Sequence, residues 1–336
     1  MKNTVIIILF AMSLLSSCTI RQDYNQQLLK ADSLMQFRPD NALNILKSIS
    51  SEKLSTRADN AYYALLLTQA QDKNFIVQKD DSLIQIAVHY YDSIGDTKMQ
   101  AKAHYYWGCV YRDMNQQAEA IREFLIAAPL TEKVKEKRQL GLIYNNIGYI
   151  YNIQEFNQKA DSIYRLMEVI AKELRDTTLW SEALSRQASI DLMKGENYFP
   201  IAEQKLLDAL VAVDKMKNDG LKANISASLS NLYNRMEQKE KALHYAKLNL
   251  SLRRDTARAY RAFFILGDAY YKSEQYDSPT SYLNKSLVSK DYGRKADAYM
   301  RLADIAMIQG NATLSMELER NCSAYKDSLY KFRRNI

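Results

Sequence analysis

The sequence predicts an all-α protein, a solenoid of stacked helical hairpins. Three observations predict it. The chain has only 9 Gly and 4 Pro in 336 residues, too few turn formers for a large β protein or a nucleotide-binding α/β fold, and it is rich in Ala, Leu, Lys, Gln, Glu and Tyr, which favour helix. Basic and acidic residues (46 and 39) are interleaved, as in Glu132-Lys133-Val134-Lys135-Glu136-Lys137-Arg138, the pattern of solvated helix faces. Finally, the chain resembles itself at intervals of roughly 40 residues, the mark of a repeat architecture.

The repeat is clearest in two segments. Ala103-His104-Tyr105-Tyr106-Trp107-Gly108-Cys109-Val110-Tyr111 is followed by Ala118-Glu119-Ala120-Ile121 and Phe124. Leu142-Ile143-Tyr144-Asn145-Asn146-Ile147-Gly148-Tyr149-Ile150-Tyr151 is followed by Lys159-Ala160 and Tyr164. Each has a large apolar residue, a Gly, a Tyr three residues on, an Ala twelve after the Gly and an aromatic four after that. The small residue marks a close helix crossing and the aromatics fill the space around it. The same site falls on Ala188, Ser230, Gly267 and Ala303, at spacings of 40, 40, 42, 37 and 36 residues. This resembles the tetratricopeptide repeat (TPR), whose usual period is 34. The resemblance implies a TPR-like α-solenoid, a right-handed superhelix of about eight hairpins.

Taken in order, residues 1–17 read as an export signal. Lys2 precedes an apolar run, Val5–Leu15, of 11 residues, short of the roughly 20 needed to span a bilayer. Leu15-Ser16-Ser17-Cys18 resembles the lipobox of bacterial lipoproteins, which implies cleavage before Cys18, lipidation of its thiol, and a short tether over residues 18–22. Residues 23–336 form the solenoid. Its first unit pairs Gln22–Gln36 with Pro39–Ile49, Pro39 suiting the first turn of a helix, and its second pairs Arg57–Gln71 with Asp81–Ile94. Units three, four and six fit the pattern best. Unit five puts Asp191 at the Tyr site and Pro200 at the Ala site, unless a short insertion shifts it. Unit seven has Pro279 at the Ala site, where Ser278-Pro279 reads as a cap and first helical position and shortens the second helix. The last helix runs from about Ala312 to Lys331.

Tyr62-Tyr63-Ala64-Leu65-Leu66-Leu67-Thr68-Gln69-Ala70, with Asp81-Ser82-Leu83-Ile84 after it, resembles the extracytoplasmic TPR proteins of Bacteroidetes. Some of these are lipoproteins, and others continue into a transmembrane helix and a helix-turn-helix regulator. The resemblance implies a lipid-anchored protein of the cell envelope. Thr19-Ile20-Arg21-Gln22 lacks an acidic run after the Cys, which points to the periplasmic face of the outer membrane. It implies a protein- or peptide-binding scaffold. Alternative readings are the sensor component of an envelope signalling system and a glycan-uptake accessory lipoprotein.

No catalytic constellation is present. His89, His104 and His244 form no metal-ligand spacing, and there is no Gly-rich phosphate loop or nucleophile elbow. The expectation is a non-enzyme without cofactor or metal. Interleaved charge argues against nucleic acid as partner, since such binders cluster their positives. Cys109 and Cys322 are too far apart in sequence to be expected to pair in a repeat fold.

In TPR proteins the first helix of each hairpin lines a concave groove. That resemblance maps Arg112, Asn145, Asn146, Tyr149, Asn152, Arg186, Asn231, Asn234, Arg235, Arg261 and Tyr271 to the groove as partner-binding residues, with Tyr105, Asp268 and Arg301 in the same register. Asn amides both donate to and accept from a peptide backbone, and Arg holds carboxylates with two parallel hydrogen bonds. A protein or peptide partner is therefore expected. Asp-Ser/Thr pairs resemble the acceptor motif of Bacteroidetes O-glycosylation, with Thr177 and Thr256 the candidate sites between hairpins. The other reading is that such pairs cap helices.

Overall fold

A computed structural model of the chain describes residues 26–50, 54, 56–253, 259–276, 279–289 and 291–334, the last four by backbone only. Among them are sixteen α-helices and no strand: α1 (Gln26–Leu34), α2 (Pro39–Lys47), α3 (Arg57–Lys73), α4 (Ser82–Ile94), α5 (Thr97–Asp113), α6 (Gln117–Lys133), α7 (Lys137–Ile153), α8 (Asn157–Leu174), α9 (Thr177–Lys194), α10 (Phe199–Asp214), α11 (Asp219–Arg235), α12 (Lys239–Ser251), α13 (Tyr260–Lys272), α14 (Pro279–Ser286), α15 (Tyr292–Ile308) and α16 (Ala312–Arg334). A single 3₁₀ turn, Glu196–Tyr198, precedes α10. The helices form two compact units, one ending at Met114 and the other starting at Asn115.

In the first unit each helix packs on the next, and α3 also touches α1 and α5. Leu28, Met35, Leu46, Tyr62 and Leu66 share one core. Polar side chains also link its hairpins: the Tyr62 hydroxyl donates to Asp32 at 2.6 Å, and the Trp107 indole donates to Asp81 at 3.0 Å. Pro39 sits in the first turn of α2, where its missing N–H costs nothing.

In the second unit, sequential contacts run from α6 to α16, and α7, α9, α11, α13 and α15 also contact one another in order. The first helices of successive hairpins thus form a continuous layer, the arrangement that makes a solenoid out of repeats unable to bury their apolar faces alone. The small residue of each repeat lies at the helix crossing. A Cβ on Gly148 would stand 2.5 Å from the Tyr164 ring, and one on Gly267 would stand 2.8 Å from Leu283. Where Ser230 takes this place, its hydroxyl donates to the Ala242 carbonyl at 2.9 Å. Tyrosines stack between the paired helices toward the C-terminus, as Tyr233–Tyr245, Tyr270–Tyr282 and Tyr299–Tyr325. Lys241, Lys247 and Lys295 lie over these rings, so aromatic burial and cation–π contacts share the same sites.

Helix starts and stops follow from local chemistry. Thr56, Asp96, Asp176, Asn218 and Asp291 accept a hydrogen bond from the backbone N–H three residues on and cap α3, α5, α9, α11 and α15. Most helices end in a left-handed residue, and in a chain short of Gly the position falls to Phe75, Lys135, Glu155, Arg175, Glu237 and Glu274. Each is followed by a six-to-one backbone bond, such as Glu136 N–H to Thr131 O and Phe156 N–H to Tyr151 O, the geometry of a Schellman stop.

The irregular units resolve as follows. The 3₁₀ turn is the insertion in unit five: it moves Pro200 into the first turn of α10 and gives the core place to Ala202, which is fully buried. Asp191, at the Tyr site, is buried and held by Lys205 at 2.6 Å and Lys194 at 2.9 Å. α14 is short, eight residues beginning at Pro279. The last helix starts at Ala312 as expected and extends to Arg334. Cys109 and Cys322 are free thiols. No described helix is long and apolar enough to cross a membrane. Cys18 and Thr256, and with them residues 1–22, lie outside the described residues. Thr177 does not lie in a linker but is the first residue of α9, directly after the capping Asp176.

Candidate functional site

The layer of first helices in the second unit encloses a groove of about 590 Å³. Of the residues the sequence assigns to it, Tyr149 and Asn152 (α7), Arg186 (α9), Asn231, Asn234 and Arg235 (α11) and Arg261 (α13) line its wall. A smaller pocket of about 160 Å³, which shares Arg186 and Arg261, adds Asn145. Spacing explains this convergence: neighbouring first helices present the same register position to one side, so residues some 40 apart in sequence become neighbours.

Most of these polar groups are already engaged. The Arg186 Nε donates to Asn145 Oδ1 at 3.2 Å, and its guanidinium lies 5.5 Å from the Tyr149 ring. Arg235 donates to the Leu192 carbonyl at 2.6 Å and covers Phe199. Asn234 Nδ2 reaches Asp268 at 3.4 Å, while its Oδ1 is buried without a hydrogen-bond partner. Asp268 is held mainly by Arg301 at 2.9 Å. Burial is the main influence on Asp297 and raises its carboxyl, with Arg301 pulling the other way.

Three assignments are corrected. Asn146 is buried, and its amide donates to the Leu142 carbonyl of its own helix at 3.0 Å, so it serves the helix interior. The Tyr271 hydroxyl donates to Asp304 at 2.9 Å and its ring lies against Tyr276 and beneath Arg301. That ties α13 to α15 and keeps the residue out of the groove wall. Arg112 belongs to the first unit, where Asp72 at 2.9 Å and Asp113 at 2.8 Å take its guanidinium. Burial opposes its charge, but Cys109 and these acids outweigh that and hold the group above the ordinary arginine range. Tyr105 beside it is buried too.

The groove also contains residues the sequence reading passed over: Ser189, Met193, Ser228, Phe264, Arg294 and Asp297. Ser189 and Ser228 occupy the same register positions as Tyr149 and Arg186. The register could have found them, but a small hydroxyl carries no chemical signal until its smallness opens a cavity. Arg294 lies in the first turn of α15, ahead of the register positions. Among the described residues no three His, Cys, Asp or Glu side chains gather so as to hold a metal ion.

No protein-family model matches this sequence, and no curated protein matches it. Solved structures do. A Rap protein complexed with competence and sporulation factor is 14% identical, with a TM-score of 0.63 over 92% of this chain and 91% of the other. The Rap conjugation gene regulator of plasmid pLS20, in complex with the Phr* peptide, is 15% identical, with a TM-score of 0.62 over 91% and 86%. A signal transduction ATPase with a tetratricopeptide repeat sensor, from Pyrococcus horikoshii, is 14% identical, with a TM-score of 0.60; the match takes in 91% of this chain and 46% of that one. At these identities the likeness establishes the fold, an all-α TPR-like solenoid.

Proposed function

We propose that the protein is a peptide- or protein-binding scaffold whose second unit takes an extended segment of its partner in the groove. One observation carries this reading: the repeat register places Tyr149, Asn152, Arg186, Asn231, Asn234, Arg235 and Arg261 on a single groove large enough for several residues of chain. Asn231 is exposed, and its amide can both donate to and accept from a peptide backbone. Clustered amides on facing helices are what an extended backbone needs, since it cannot satisfy its own hydrogen bonds. The complexes formed by two of the similar structures, one of them with a peptide, support a peptide occupant. The wall offers no set of groups for bond-making chemistry, and binding is the function we assign.

The Leu15-Ser16-Ser17-Cys18 sequence supports a lipid anchor at Cys18 and an envelope location for the scaffold. Metabolic labelling with a fatty-acid analogue tests that part: label on the native protein and none on Cys18→Ser is expected, and equal labelling of both refutes it. For the groove, the test is a photo-crosslinking amino acid at position 231 in living cells, with mass spectrometry of the adducts. A discrete partner, lost in the Arg186→Glu/Arg235→Glu double variant at unchanged helix content, is expected. Adducts that are unchanged in that variant refute the groove as the site.

A further inference from the structure

The first unit carries an apolar edge that its core does not use. Phe37, in the turn after α1, is 85% exposed, and Phe75 and Val77, in the connection from α3 to α4, are 82% and 64% exposed. Hydrogen bonds between the two connections set these side chains on one end of the unit. Lys73 Nζ donates to Gln36 Oε1 at 2.9 Å, and Asn74 Nδ2 donates to the Pro39 carbonyl at 2.9 Å. Phe75 is held there under strain. Its φ is 57°, in the left-handed region, and every other non-Gly residue with positive φ among the described residues is Asn, Lys, Glu or Arg. The helix stop explains the left-handed backbone but not the ring, since a polar residue serves at each of those other stops and is better solvated.

We infer that this edge inserts into a lipid bilayer, with Phe37 and Phe75 as its two anchors and Ile76 and Val77 beside them. The inference rests on the Cys18 anchor proposed above, which brings a bilayer within reach. Residues 19–25 separate Cys18 from α1, and a chain of that length spans about 25 Å when extended. α1 has nine residues, about 14 Å of helix, so the lipid can lie level with the turn at the far end of α1. Three features suit a bilayer. The rings project from turn tips, a shape that fluid lipid takes without a matching pocket. The N–H groups of Phe37, Phe75 and Ile76 already donate to the carbonyls of Leu34, Asp72 and Gln71, at 3.1, 3.0 and 2.9 Å. That removes a main penalty for moving backbone out of water. Finally, Arg38 and Lys79 flank the apolar residues and are exposed, placed to bury their stems and leave their charges among the headgroups. Asp40, 3.9 Å from Arg38, and Asp80 balance that charge, so apolar insertion supplies the affinity and anionic lipid is not required.

The test puts one environment-sensitive fluorophore on the protein isolated from host membranes and reconstituted into phosphatidylcholine vesicles, with and without nitroxide-bearing lipid. The label goes on Phe37→Cys in one sample and on Ser93→Cys in another, Cys109 and Cys322 being buried. Ser93 is exposed near the end of α4, a thirteen-residue helix away from the edge. The expected result is flotation with the vesicles, a blue shift and nitroxide quenching at Phe37→Cys, and neither at Ser93→Cys. Adding Phe75→Asn, whose side chain suits the left-handed backbone, should lower the inserted fraction by about tenfold, the weight of one buried ring, without lowering thermal stability. An unchanged inserted fraction in that variant overturns the inference. Flotation with both labels in water overturns it and leaves the lipid anchor standing. So does quenching at Ser93→Cys alone, which would put the opposite end on the bilayer. A blue shift at Phe37→Cys that needs no lipid and grows with protein concentration gives the edge to a second copy, and one seen only in native envelope vesicles gives it to a protein partner; either overturns the bilayer assignment. Failure to float overturns the anchor, and the inference with it.

Discussion

Gly148→Ala tests the packing rule that makes these repeats stack. Gly148 is in the interior of α7, where Ala would ordinarily stabilise a helix by about 0.8–1 kcal/mol. Here the added Cβ would stand 2.5, 2.8 and 2.9 Å from three carbons of the Tyr164 ring. Ordinary contact starts near 3.4 Å, so the ring or the helix must move by about 1 Å. Tyr164 is 1% exposed and lies in a core with Met167, Leu179 and Ala183, so the ring has nowhere to go. Overpacking of this kind costs about 1–3 kcal/mol. With the helix gain subtracted, the expected net loss is about 1 kcal/mol at the middle of these ranges and at most about 2 kcal/mol, read as a lowered urea midpoint by circular dichroism at unchanged slope. Gly220→Ala is the control: in α11 the nearest atom to its new Cβ is Asn218 Oδ1 at 3.7 Å, and a gain of a few tenths to about 1 kcal/mol is expected. A double-mutant cycle of Gly148→Ala with Tyr164→Leu should show a coupling of at least about 0.5 kcal/mol. If Gly148→Ala is stabilised by the full helix gain, or the two changes are additive, the close-crossing argument is wrong.

Further expectations follow from single contacts. Asp191→Ala should cost about 2–4 kcal/mol, because it strands Lys194 and Lys205 beside a buried vacancy. The same change combined with Lys205→Met should recover most of the loss, and a failure to recover would show that the pair's charge is not what matters. Glu155→Gly should stabilise by about 0.5–1 kcal/mol, since Glu155 sits at φ 64°, where only Gly is free of Cβ strain; a lower midpoint would refute the strain. Asp176→Ala should cost about 1–2 kcal/mol through the lost cap on α9, and a neutral result would refute the cap. Glu182 has its carboxyl raised above the ordinary 4.5 by burial, so the folded state binds the proton more tightly than the unfolded state. Stability from this group therefore falls as pH rises from 4.5 through the raised value. Glu182→Gln should be more stable than the parent at pH 7, with the advantage gone below pH 4.5. An advantage independent of pH would reject burial of the charge as its cause.

The sequence by itself determined the helical class, the hairpin register and the helix boundaries of a few units. It could do so because these are local properties: helix propensity, Asp, Asn and Thr caps, Pro at first turns, and a Gly, Ala or Ser at each crossing. Seven of the groove residues were legible for the same reason, since a fixed register position on consecutive first helices points one way. The tertiary structure decided what each of these side chains is free to do. Asn146 turned to its own helix carbonyl, Tyr271 to Asp304 and Arg112 to Asp72, because the partners that claim them lie on the same helix or one about 30–40 residues away in sequence. It also decided that Ser189 and Ser228 open the wall, that a 3₁₀ turn resets unit five, and that Arg261 alone among the groove's arginines is without a partner among the described residues. Register sets where a side chain starts. Competition among neighbours for hydrogen bonds and charge sets where it ends, and that is a property of the packed chain.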